Sequence, residues 1–123
     1  MIFGKSAESA GTDATTGLPM SHEMVEALIA MYQKRDVLSF AKKFRSRNIY
    51  DLVLNANHML IALDHEVFSK LQNTLWNCKI KLLNQPYGIP DPFLTNESDR
   101  FKKTIERIKK AIESDKEIKD RVF

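Results

Sequence analysis

The sequence predicts an all-α fold, a single domain of five to six helices in bundle or orthogonal packing. From Asn48 to Leu83 the chain contains no Gly and no Pro. Within that stretch Ile49, Val53, Ala56, Leu60, Leu63, Val67, Leu71 and Leu75 recur in steps of three and four, the period of one helix face. Near the C-terminus Phe101, Ile105, Ile108 and Ile112 repeat that spacing among charged residues. A chain of 123 residues with 43% hydrophobic composition fits one domain, able to bury a core without metals or disulfides.

Residues 1–20 are rich in Gly, Ser, Ala and Thr. They carry too little apolar surface to offset the entropy of ordering them, so they are expected to form a flexible, disordered leader. Residues 21–123 are expected to form the helical domain. Its first helix spans roughly 22–34. Ser21 is placed to cap it, Glu23 lies near its positive end, and Met24, Val25, Leu28, Ile29 and Tyr32 form its apolar stripe. A second helix, roughly 37–46, starts behind Asp36 and turns Val37, Leu38, Phe40, Ala41 and Phe44 inward.

One helix over the Gly- and Pro-free stretch would be about 54 Å long, which is long for such a domain. Asp64-His65-Glu66 reads as an N-cap with an acidic first turn, dividing the stretch into helices of 48–63 and 65–83. Pro86, Gly88, Pro90 and Pro92 then exclude helix. Tyr87, Ile89 and Phe93 suggest that this Pro-rich connection is pinned to the helices. The last helices are expected at 97–113, opening near Asn96 or Ser98, and at 115–121, with Asp115 as cap and Ile118 turned inward.

The formal charge is +3, ordinary for a soluble protein. The only asymmetry lies between 34 and 47, where Lys34, Arg35, Lys42, Lys43, Arg45 and Arg47 face a single Asp36. Lys42, Lys43, Arg45 and Arg47 could each neutralise a phosphate of nucleic acid or of another anionic partner, with Phe44 and Tyr50 interleaved. The same cations also suit the negative end of the second helix. The Phe101, Ile105, Ile108 and Ile112 stripe must pack against something. Its partner is either the chain's own core or another protein.

No catalytic or cofactor motif emerges. Gly4-Lys5-Ser6 ends like a phosphate-binding loop but lacks the preceding glycine and strand. The zinc-protease spacing fails after His65-Glu66, where Ser69 stands at the second His position. His58 and His65 on one helix would stand about 10 Å apart along its axis, too far to share an ion. If the helix breaks at Asp64, they could approach. No metal site, cofactor or acid–base pair is therefore assigned, and an enzyme is not expected.

Cys78, the one cysteine, sits between Trp76 and Ile80 and reads as a packed core thiol, in keeping with a reducing compartment. The longest apolar run, Met59 to Leu63, is far below the roughly 20 residues of a membrane span. The N-terminus lacks a signal-peptide core, which makes the cytoplasm the expected location. Together these features predict a non-enzymatic protein-binding module: a small regulator, an inhibitor or a subunit of a larger assembly, paired with itself or with another protein. The alternative is a nucleic-acid-binding regulator using residues 42–47.

Overall fold

A computed structural model describes residues 8–122. In chain order it contains helices α1 (His22–Tyr32) and α2 (Arg35–Lys43), strand β1 (Met59–Ala62), helix α3 (His65–Thr74), strand β2 (Lys79–Leu82), and helices α4 (Arg100–Ser114) and α5 (Lys116–Val122). Short 3-10 turns lie at Ile49–Asp51 and Pro92–Leu94.

The fold is therefore mixed α/β and mostly helical, which overturns the all-α expectation. Strands β1 and β2 pair in parallel, with Met59 opposite Lys79 and Ala62 opposite Leu82. Helix α3 makes the crossover between them, since parallel neighbours cannot be joined by a tight turn. The expected helix over 48–63 is absent. A 3-10 turn, an extended segment and β1 stand in its place. The expected helix over 65–83 stops at Thr74 and gives way to β2.

The physical reason is local. Met59-Leu60-Ile61-Ala62-Leu63 is a continuous apolar run, which suits a strand covered on both faces as well as a helix segment. Lys79-Ile80-Lys81-Leu82 alternates with period two, the pattern of a half-covered strand. Asparagine supplies the breaks that glycine and proline usually mark. The Asn48 side chain accepts from the Tyr50 amide at 3.0 Å, and that of Asn55 from the Asn57 amide at 2.9 Å. Both are local turns that compete with helix.

Other element ends follow their capping chemistry. Ser21 accepts from the Met24 amide at 3.3 Å, and Asp64 accepts from the Val67 amide at 2.8 Å. Replacing Asp64 by Ala should destabilise the fold by about 0.5–2 kcal/mol, read as a lowered urea midpoint with an unchanged slope. Helix α2 begins two residues earlier than Asp36 implied and ends at Lys43. Helix α4 begins at Arg100 rather than 97, after Asp99 in a left-handed conformation.

Three apolar clusters hold the layers together. Ala27, Leu28, Ala41, Phe101 and Ile105 fill the space between α1, α2 and the first half of α4. Leu83, Ile89, Ile108, Ile112 and Ile118 join the second half of α4 to α5, with Met59 and Ile61 from one face of β1 packed against them. Leu60, Ala62, Leu71 and Cys78 form the third cluster, on the opposite face of the sheet beneath α3. Alternation along β1 thus sends Met59 and Ile61 to α4 and α5, and Leu60 and Ala62 to α3. Helix α4 is the common wall of the first two clusters.

The Pro-rich connection is pinned to the end of β1, where the Ile89 amide donates to the Leu63 carbonyl at 2.6 Å. The described part of the leader is also tied down, in contrast to the loose segment expected there. The amides of Gly11 and Gly17 donate to the carbonyls of Arg47 and Ser46, both at 2.9 Å, and the Ile49 amide donates back to Gly11. Residues 8–18 thus lie as a strap along 46–49. Gly4-Lys5-Ser6 falls outside the described residues.

Candidate functional site

The four cations of the basic cluster do not converge. Lys42 and Lys43 are exposed on the last turn of α2, and among the described residues neither has an ion-pair partner. Arg45 folds back, with Nη1 donating to the carbonyls of Phe44 at 2.6 Å and Lys42 at 3.3 Å. It satisfies the carbonyl end of α2, a favourable place for a cation. Arg47 points to the strap, with Nη2 donating to the Ser9 carbonyl at 3.0 Å and Nη1 at 3.5 Å from Glu8. Phe44 is half-buried against Phe40 at 6.0 Å between ring centroids. The Tyr50 hydroxyl lies 2.9 Å from that of Thr74, directed to the far end of α3. Phe44 and Tyr50 thus turn towards Phe40 and Thr74.

The α4 stripe is inside the molecule. Phe101, Ile105, Ile108 and Ile112 are all buried, and Ile105 has no exposed surface. Between own core and foreign partner, the structure places them in the chain's own core. Cations around the stripe serve the same packing. Arg100 lies 3.2 Å from Glu23 of α1 and stacks near the rings of Phe93 and Phe101, at 6.0 and 5.5 Å. Arg107 donates to both carboxylate oxygens of Glu97 at 3.0 Å.

The histidines are separated by the length of β1. His58 Nδ1 accepts from the Asn55 amide at 3.1 Å, whereas His65 Nε2 lies 2.6 Å from the Pro86 carbonyl. Among the described residues no group of three His, Cys, Asp or Glu side chains is placed to hold a metal. Cys78 is buried, with Sγ 3.4 Å from the Asn55 carbonyl. No helix among the described residues is long and apolar enough to cross a membrane.

A charged clamp unforeseen from the sequence joins β2 to the start of α5. Lys81 Nζ donates to Asp115 at 2.9 Å and to Glu117 at 3.3 Å, and Lys79 pairs with the other oxygen of Glu117. The hydrogen bond to Asp115 raises the Lys81 pKa, against opposing desolvation and with help from Glu117. Burial pushes the Asp115 carboxyl upward, but the Lys81 ammonium and the Ile118 amide outweigh it, so its pKa falls below the ordinary value. The Lys79 and then Lys81 hydrogen bonds lower that of Glu117. Both carboxylates are thus depressed, and the stability they supply is present above their unfolded values, near pH 4, and is lost as pH falls through the folded values. Lys81 behaves oppositely, its contribution being full below the ordinary 10.5 and lost as pH rises from there through its raised value. Melting curves at several pH values should therefore show Lys81→Met losing less stability than the parent between pH 5 and pH 3, roughly the window of carboxylate titration.

Exposed apolar residues lie both in the Pro-rich connection, at Tyr87, Phe93 and Leu94, and where α3 enters β2. Trp76 is 80% exposed and Val53 93%, and Tyr50 is also at the surface. Two contacts place these residues at the same end of the sheet. Tyr50 meets Thr74, and Cys78 meets the Asn55 carbonyl, so segment 50–55 runs beside the 74–78 turn. The helical phase assigned Val53 to a buried stripe and made Trp76 a neighbour of the core. The period-two pattern of 79–82 was the signal that Trp76 precedes a strand and sits in a turn. Comparisons with protein-family models, with curated proteins and with solved structures find no match to this chain.

Proposed function

We propose that this chain is a non-enzymatic protein-binding module, a small regulator, inhibitor or assembly subunit acting in the cytoplasm. Its contact surface is the sheet end bearing Tyr50, Val53 and Trp76. The observation that carries this reading is the exposure of Trp76. An indole this large in water gives up the favourable burial that the core offers Phe101. Trp and Tyr are also the side chains that most often dominate binding energy at protein interfaces. Exposed Val53, in the segment that runs beside the 74–78 turn, would widen the apolar area that a partner would cover.

The nucleic-acid reading through Lys42, Lys43, Arg45 and Arg47 has less support, because Arg45 and Arg47 already have intramolecular partners. The test is a capture from cell extract with the parent chain and with Trp76→Ser, each with and without nuclease. A partner held by the parent in both conditions and weakened at least about 30-fold in Trp76→Ser, as for a dominant interface residue, would support the proposal. Equal recovery by parent and variant, or recovery that disappears with nuclease, would reject it.

A further inference from the structure

Ser46 is the fastener of the 15–18 turn of the strap. Its hydroxyl donates to the Thr15 carbonyl and accepts from the Leu18 amide at 3.0 Å. Its own amide donates to the Leu18 carbonyl at 2.7 Å, and its carbonyl accepts from the Gly17 amide at 2.9 Å. Residues 15–18 therefore wrap around this one residue, a turn that Gly17 permits with φ of +92°. Upstream the strap has its own ties, the Gly11 backbone bonds to Arg47 and Ile49 and the Asn48 side chain on the Ala14 carbonyl at 3.1 Å, with surface contacts of Asp13 with Lys70 at 2.7 Å, Glu8 with Arg47, and Thr16 with Asp51 at 3.3 Å.

The same residue stands in Lys42-Lys43-Phe44-Arg45-Ser46, a hydroxyl preceded by cations. Lys42, Lys43 and Arg45 are exposed. The chain around Ser46 is extended, with ψ of 135° at Phe44 and 130° at Asn48. An extended acceptor with basic residues upstream is the form in which kinases with acidic substrate grooves select their sites.

We propose that Ser46 is a phosphoacceptor for such a basic-directed protein kinase, and that its phosphorylation unfastens the 15–18 turn of the strap. In the transfer, the Ser46 Oγ–phosphorus bond forms as the bond from the γ-phosphorus of ATP to its bridging oxygen breaks. The hydroxyl proton passes to the kinase's base, and ADP leaves. Local opening of the strap, whose bonds to Ser46 are exposed to solvent, presents the hydroxyl. Afterwards the oxygen that donated to Thr15 carries no proton, and phosphate oxygens would face the Thr15 carbonyl, acceptor against acceptor. The dianion instead meets the guanidinium groups of Arg45 and Arg47. Arg47 then turns from Glu8 and the Ser9 carbonyl to the phosphate, so the turn loses its fastener and the strap one of its ion pairs together.

The full chain is treated with the catalytic subunit of cyclic-AMP-dependent protein kinase and magnesium–ATP, and amide hydrogen exchange is read before and after. The expected result is one phosphate, mapped to Ser46 and absent in Ser46→Ala. Exchange at Gly17 and Leu18 should accelerate about tenfold or more, the scale of one or two lost hydrogen bonds, while α4 amides keep their protection. Ser46→Ala should leave Gly17 protected, because its backbone bond does not involve the hydroxyl. Phosphate appearing only at other hydroxyls, failure of Ser46 to accept phosphate, or a phosphorylated Ser46 with unchanged protection at Gly17 would each overturn the proposal.

Discussion

Ile105→Asp is expected to unfold the protein rather than to release it from a partner. Ile105 has no exposed surface and lies with Ala27, Leu28, Ala41 and Phe101 where α1, α2 and α4 meet. A carboxylate there would lose its hydration among these apolar side chains. The expected cost exceeds about 4 kcal/mol, a large part of the 5–15 kcal/mol that holds a typical domain. Circular dichroism should show loss of the cooperative transition. The milder Ile105→Ala should cost about 2–5 kcal/mol through the cavity it leaves and should remain folded. A folded monomeric Ile105→Asp would mean that the α4 stripe faces another chain.

Gly88→Ala is expected to be the costliest single-methyl change in the connections. Gly88 has φ of +72°, and an added Cβ would stand 3.0 Å from the Leu63 carbonyl oxygen and 3.2 Å from the Asp64 Cα. Those are backbone atoms, fixed by the Ile89 bond to Leu63 and by the Asp64 cap of α3. Left-handed strain and the collision together should cost about 2–4 kcal/mol. Gly17→Ala provides the contrast. Its φ is +92°, but among the described residues nothing beyond its chain neighbours lies within 4 Å of the new Cβ, so only the conformational strain of about 1 kcal/mol remains. Urea titrations of the two variants should separate by more than the error of either. Equal midpoints would show that the 86–89 segment does not press on the end of β1.

The elements read correctly from sequence are those whose signals are local. Ser21 and Asp64 cap helices because a short oxygen acceptor stood ahead of an apolar period. The stripe of α4 was visible because charged residues frame it. Strands β1 and β2 were missed because Leu60, Leu63 and Val67 fit a helical step as well as they fit a strand followed by a helix. What decides between the two is the pairing of Met59–Ala62 with Lys79–Leu82 across the chain, which a short window cannot register. The basic cluster was legible as composition. The fate of Arg47 was not, since its partners Glu8 and Ser9 belong to a segment whose composition argued against order. Trp76 was misplaced for a related reason, because a turn made of Leu75, Trp76 and Asn77 lacks the usual glycine or proline.

The exposure of Trp76 links the corrected fold to the proposed function, and it can be measured directly because the chain contains one tryptophan. The measurement is intrinsic fluorescence of the native chain with acrylamide quenching, compared with the chain in denaturant. Native emission should lie close in wavelength to that of the unfolded chain and be quenched nearly as readily. Blue-shifted native emission that acrylamide scarcely quenches would place Trp76 in the interior and contradict both the turn before β2 and the surface built on it.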